Sequence, residues 1–356
     1  MGYVLYAVIL VVIFLVYSKK DALLGVLGMK GVGGAGAGDD VDKEALDDLD
    51  RGYGPAVEQA AQAAAAGQIE PLITLMKQAR AGAWDLRYEL MDAGAALPSL
   101  TWQIRANSEP QSPEPLLMLA SRLASEGWKA RGHGGGSTVS EQTSRVFHAK
   151  IAQAEEILVR VASMDREDPT PHARMVAYAS YKSEDEEVAR AHLSEALRRA
   201  PDHFGAILSM TNYIAPHWHG SKEKALAFGR EMATSAPEGS LRAGTIITSY
   251  VTIWHKMHWF EKGATKDTIR AMLADPAVQA EICGAYQRSV ASPKHQLKPW
   301  SYHLLNQAAG IFYCIQDRAA TAEALARIGD RKIDSPWEYL GNPTKVFAQA
   351  RKWAGL

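Results

Sequence analysis

Two cysteines in 356 residues, Cys283 and Cys314, are too few for a disulfide framework or a thiolate zinc site. Both sit in apolar, helix-like surroundings, so they read as small buried hydrophobes and leave the compartment open. Excess charge of one sign is also lacking. The 39 Lys and Arg against 40 Asp and Glu give a formal net charge of −1. A near-neutral chain has no general electrostatic reason to bind nucleic acid. No run of alternating β-branched residues lies between turn signals, which argues against a sheet. The Gly-rich loop inside the body, "ARGHGGGST" (130–138), lacks the Lys-Ser/Thr ending of a phosphate-binding loop and follows a helix. No Ser-His-Asp order, nucleophile elbow or paired-carboxylate motif stands out, so no catalytic residue or cofactor is assigned and no enzyme is expected. What is present is globular: 47% hydrophobic and 22% charged residues, in a chain long enough for a substantial core.

The opening "MGYVLYAVILVVIFLVYSKK" carries no charged side chain before Lys19. As a helix, Gly2 to Tyr17 spans about 24 Å, and the stems of Lys19 and Lys20 extend it toward the thickness of a bilayer core. Tyr3, Tyr6 and Tyr17 stand near its ends, where amphipathic rings suit the lipid interface. A cleaved signal peptide has its positive charge before the apolar run; here the charge follows it. No cysteine is near for a lipoprotein, and position 6 lacks the Ser or Thr of a myristoylation signal. The expectation is a single-pass anchor over 1–20. Lys19, Lys20 and Lys30 on its C-terminal side place the body in the cytoplasm by the positive-inside rule. Residues 21–53 read as a tether, first Gly-rich and then acidic (Asp39, Asp40, Asp42, Glu44, Asp47, Asp48, Asp50).

From Pro55 onward almost every segment reads as helix, with an N-terminal helical region over 54–132 and repeats plus C-terminal helices over 133–356. In the middle, small residues stand where two helices touch: Ala177 on one helix, Ala189 and Ala196 on its partner. Val188, Ala189, His192, Leu193, Ala196, Leu197 and Ala200 form one apolar stripe. Glu186–Arg190 and Glu195–Arg199 are favourable pairs one turn apart. Ala225, Phe228 and Met232 repeat the theme, and Pro169, Pro201 and Pro237 mark the ends of successive units. This is a tetratricopeptide-like register, so the fold expected is all-α: a helical-repeat array, or α-solenoid, behind one N-terminal transmembrane helix.

"APHWHGS" falls between two helices of this array. Pro216 restrains its start, Gly220 permits an unusual backbone angle, and Ser221 is placed to cap the next helix with Glu223 in its first turn. Trp218 is expected to plug the inter-helix groove, so Trp218, Gly220, Ser221 and Pro237 form a structural turn motif. The competing reading makes His217 and His219 metal ligands or catalytic groups together with His255 and His258, or with His203. No carboxylate stands at a fixed ligand spacing, so HxH and HxxH are weak signals and no metal is assigned. "TIITSYVTIWHKMHWFEKG" (245–263) reads as a long helix that packs through most of its aromatics. Its sharper reading is an interaction surface through Trp254 and Trp259, with Lys294 and Lys298 of the cationic loop "SPKHQLKPW" as further contacts.

Four stretches share a pattern: "PLITLMKQARAGAWDLRYELMDAGAA" with Trp84 and Arg87; "EGWKARG" with Trp128 and Arg131; "APHWHGSKEKALAFGREMATSAPEGS"; and "SPWEYLGNPTKVFAQAR" with Trp337, Gly341, Pro343 and Phe347. Through them the chain, over roughly Gly54 to Arg351, resembles an uncharacterised, largely actinobacterial domain family of unknown function with tetratricopeptide-like helices. Many members carry Gly where His219 stands, which implies that His219 is not essential to the turn. The resemblance implies an architecture and no reaction. The function expected is a membrane-tethered protein that binds or scaffolds protein partners. The alternatives are an accessory subunit of a larger membrane complex, and a metal protein or enzyme using His217, His219, His255 and His258.

Overall fold

The structure is a computed structural model that describes residues 55–132 and 139–356. The expected anchor, the tether and most of the Gly-rich loop lie outside the described residues. Among the described residues there are sixteen α-helices and no strand. In chain order they are α1 (Pro55–Ala65), α2 (Glu70–Ala79), α3 (Trp84–Ala95), α4 (Ser99–Ser108), α5 (Pro113–Arg131), α6 (Glu141–Met164), α7 (Thr170–Lys182) and α8 (Glu186–Arg199). Then come α9 (Phe204–Tyr213), α10 (Lys222–Thr234), α11 (Thr245–Phe260), α12 (Lys266–Leu273), α13 (Pro276–Arg288), α14 (Pro299–Cys314), α15 (Arg318–Ile328) and α16 (Pro343–Ala354). The all-α expectation holds. Among the described residues no helix is long and apolar enough to cross a membrane.

Helix starts follow their capping residues. Ser140, Ser221, Asp317 and Asn342 each accept a backbone N–H from the first turn of the helix they open. Proline stands in the first two positions of α2, α5, α7, α13, α14 and α16, where a missing N–H costs nothing. In α7 that proline is Pro171, and Pro169, expected to end the preceding unit, stands at the N-cap just before the helix.

Neighbouring helices pair: α5 with α6, α7 with α8, α10 with α11, α14 with α15. The pairs also connect onward, α7 to α9 and α9 to α11. Two apolar cores result. One runs from Val57 through Trp102, Leu117 and Ile151 to Tyr178. The other gathers Tyr88, Phe204, Phe228, Trp254, Tyr286, Phe312 and Trp337. Helices α3 and α7 contribute to both. Gly205 lets the start of α9 press against α3, because a Cβ there would come 2.9 Å from the Tyr88 ring.

The expected stripe on α8 is mostly correct: Ala189, Leu193, Ala196 and Ala200 are buried. Val188 is not; it is 39% exposed. Both helix-surface ion pairs form, Glu186–Arg190 at 2.8 Å and Glu195–Arg199 at 2.8 Å. On α7 the fully buried alanines are Ala173 and Ala179, while Ala177 is only partly covered. Arg87, legible only as part of a likeness, is a clamp. Fully buried, it donates from Nε to Asp168 (2.9 Å) and from Nη1 to Glu114 (3.1 Å) and the Met76 carbonyl (2.6 Å). It thus ties α2, α3 and α5 to the segment entering α7.

Candidate functional site

The chain leaves α9 and turns within a few residues. Trp218 N–H and Gly220 N–H both donate to the Ala215 carbonyl, and His219 N–H to that of Tyr213. Gly220 does not adopt the unusual backbone angle expected of it; its φ is not positive. It is needed for space: a Cβ would lie 1.8 Å from the Ile214 carbonyl oxygen. Ser221 caps α10 as expected, accepting from Lys224 N–H at 3.2 Å and donating to Glu223 at 2.8 Å. Pro237 sits in the exposed link after α10, where its carbonyl accepts from Ser240 N–H. Trp218 does not plug a groove. It is 41% exposed, set edge-on against Trp128 with ring centres 6.5 Å apart.

The two histidines of the turn diverge. His219 donates from Nε2 to the Ser180 carbonyl on α7 at 2.8 Å and lies over Tyr213. His217 points to α11: its ring centre is 4.4 Å from that of His255, and it stacks on Phe260 at 6.0 Å with an 11° interplanar angle. His255 Nδ1 is 3.0 Å from the Tyr339 hydroxyl, and His258 lies between Tyr339 and Trp259. His255 and His258 thus both meet Tyr339, His217 joins them through His255, and His219 stands apart. Among the described residues no group of three or more His, Cys, Asp or Glu side chains is arranged to hold a metal. Burial, then the neighbouring His255 and Lys256, pushes the His217 imidazole down to about 4. Burial also lowers His255 and His258, so all three rings are neutral near pH 7.

The rings form a continuous path: Trp128, Trp218, His217, His255 and Phe260, Tyr339, His258, Trp259. Large apolar surface faces solvent along it, with Trp259 55% and Phe260 54% exposed beside Trp218. The Lys256 ammonium lies over Phe260 and the Arg131 guanidinium over Trp128. Of the expected interaction residues, Trp259 fits this surface and Trp254 does not. Trp254 is 1% exposed, packed edge-on against Tyr339, because α11 turns that face into the core. Tyr339 and Trp128 had no signal in the sequence linking them to this place.

The two lysines belong elsewhere. Lys294 pairs with Glu238 at 2.6 Å. His295 holds their loop to the preceding link, donating to the Gly239 carbonyl at 2.7 Å and accepting from Ser301 at 2.8 Å. Lys298 lines a cleft of about 520 Å³ between the start of α3 and the α8–α9 junction. His203 and Asp85 also line it, with Nδ1 and Oδ1 3.3 Å apart. His203 is committed to structure: its Nδ1 accepts the Ala206 N–H as the cap of α9, and burial lowers its basicity. No protein-family model matches the chain, and no curated protein matches its sequence.

Proposed function

We propose that this is a membrane-tethered helical-repeat protein, bacterial in type, that binds a protein partner through the aromatic and histidine surface around Trp218, Trp259 and Phe260. The observation that carries the reading is this surface. Exposed Trp218, Trp259 and Phe260 lie along one path of rings there, linked through His217, His255, His258 and Tyr339. Clustered exposed aromatics mark protein-binding sites, and a braced surface loses little freedom when a partner docks.

The array reading rests on the paired helices α7–α8 and α10–α11, whose Ala189, Ala196 and Ala225 are fully buried. Such arrays act by presenting extended surfaces, which agrees with binding in place of catalysis. The likeness to the actinobacterial family agrees with the same architecture. The anchor over 1–20 and a cytoplasmic body follow from the apolar opening and the lysines after it.

The test is extraction of the full chain from its host membranes in gentle detergent, as wild type and as Trp259→Ala/Phe260→Ala. A protein recovered with the wild type and lost with the double variant supports the reading. Equal recovery of companions with both chains contradicts it and favours a complex subunit held through another face.

A further inference from the structure

Away from that surface, two more histidines face each other across the α7–α8 pair. His172 Nδ1 and His192 Nδ1 are 3.3 Å apart, with the rings tilted 40° and both side chains half-buried. One turn after His192, on the same face of α8, stands Glu195. Its carboxylate is held by Arg199 at 2.8 Å and Arg198 at 3.5 Å, and its side chain is 45% exposed.

The spacing is informative. A zinc–imidazole bond is about 2.0–2.1 Å, so two nitrogens in a tetrahedral shell stand about 3.3–3.4 Å apart. An octahedral shell with bonds of that length would bring them closer, to about 3 Å. In this structure the two Nδ1 atoms stand at that separation as an imidazole–imidazole hydrogen bond, whose shared proton a metal ion would replace.

We infer that His172 and His192 form a binding site for a zinc-class divalent metal ion, with Glu195 turning from Arg199 to serve as third ligand. Two imidazoles and one carboxylate leave a fourth position for water. Only one exposed side chain has to rotate, and because Glu195 is otherwise engaged, no three-ligand group stands preassembled among the described residues.

The surroundings fit a cation of modest affinity. Burial and the neighbouring Arg199 hold His172 down at about 4, and burial lowers His192. Both rings are therefore neutral near pH 7, and the one whose Nδ1 donates in the pair binds the ion once its proton sits on Nε2. Arg198 and Arg199 oppose a metal ion through their charge. Glu155 and Glu184 act on His192 in the opposite sense, though Lys182 pairs with both at 2.6 Å.

The test is calorimetric titration of the untagged full chain in detergent, at about neutral pH, with zinc chloride and with cobalt chloride. The expected result is one saturable site per chain and the visible absorption of tetrahedral cobalt. His172→Asn and His192→Asn should each weaken binding at least about tenfold, and Glu195→Gln by about tenfold. His217→Asn/His255→Asn should leave it unchanged. Circular dichroism melts of each metal-free variant establish that it is folded, and His192→Gln stands in for any that is not. No saturable binding, an octahedral cobalt spectrum, or loss of binding only in the His217/His255 variant would overturn the assignment. Unchanged affinity in Glu195→Gln would overturn the role given to Glu195.

Discussion

The Tyr339 hydroxyl stands 3.0 Å from His255 Nδ1 and 3.0 Å from Ser335 Oγ. It joins α11 to the short turn before α16 across 84 residues of sequence, and it underlies the surface that Trp259 and Phe260 present. Tyr339→Phe keeps the buried ring and removes only these bonds. It should cost about 1–2 kcal/mol in a denaturant melt. A change within error would mean that the hydroxyl does not brace the surface.

The turn after α9 sets two substitutions against each other. Gly220→Ala drives a methyl group into the Ile214 carbonyl and should destabilise by about 3 kcal/mol. His219→Gly loses one hydrogen bond to Ser180 and should cost only about 1 kcal/mol. Chemical unfolding of both variants checks the order; a costlier His219 variant would reverse the account of the turn.

Arg87 is the partner of two buried carboxylates, Asp168 and Glu114. Arg87→Ala leaves both charges inside without a counter-ion and should cost about 3–5 kcal/mol. Replacing exposed Arg145, whose pair with Glu141 is at the surface, should change stability by less than about 1 kcal/mol. Comparable effects of the two in thermal melts would contradict the clamp.

Two groups give stability opposite pH slopes. Glu89 is buried with neither carboxyl oxygen partnered. Burial first, then Asp85 and Asp92, raises its pKa well above 4.5. Its folded value lies above its unfolded one, so stability is full below the unfolded value and lost as pH rises through the folded one. Glu89→Gln should gain on the wild type as pH rises above about 4.5. His217 is the converse: its value falls from 6.5 to about 4. The stability it contributes is present above 6.5 and lost as pH falls toward 4, so His217→Gln should flatten the acid limb. Urea melts across this range test both, and parallel curves for wild type and variant would contradict either assignment.

Much of the architecture was legible because it is local. Ser221 and the prolines set helix ends through their own backbone chemistry, and Ala189, Ala196 and Ala225 report faces where helices touch. The site was half legible. Periodicity marks a helix face as apolar without saying which neighbour covers it, so Trp254 and Trp259 look alike in sequence, yet one is core and the other surface. Val188 belonged to the apolar stripe and is nonetheless 39% exposed. Gly220 signalled a tight turn, but steric room and backbone angle leave the same letter in the sequence. The meeting of His217 with His255, of His255 with Tyr339, and of His172 with His192 depends on tertiary packing that no spacing encodes.

The central claim, that the ring of aromatics at the end of α11 receives a protein partner, is tested most directly by a photo-crosslinking residue placed at position 259 of the full chain in its host cells. A discrete crosslinked adduct is predicted at position 259, lost on adding Trp218→Ala, and absent when the same probe replaces Lys352 on α16. No adduct at 259, or one equally strong at 352, would contradict the account.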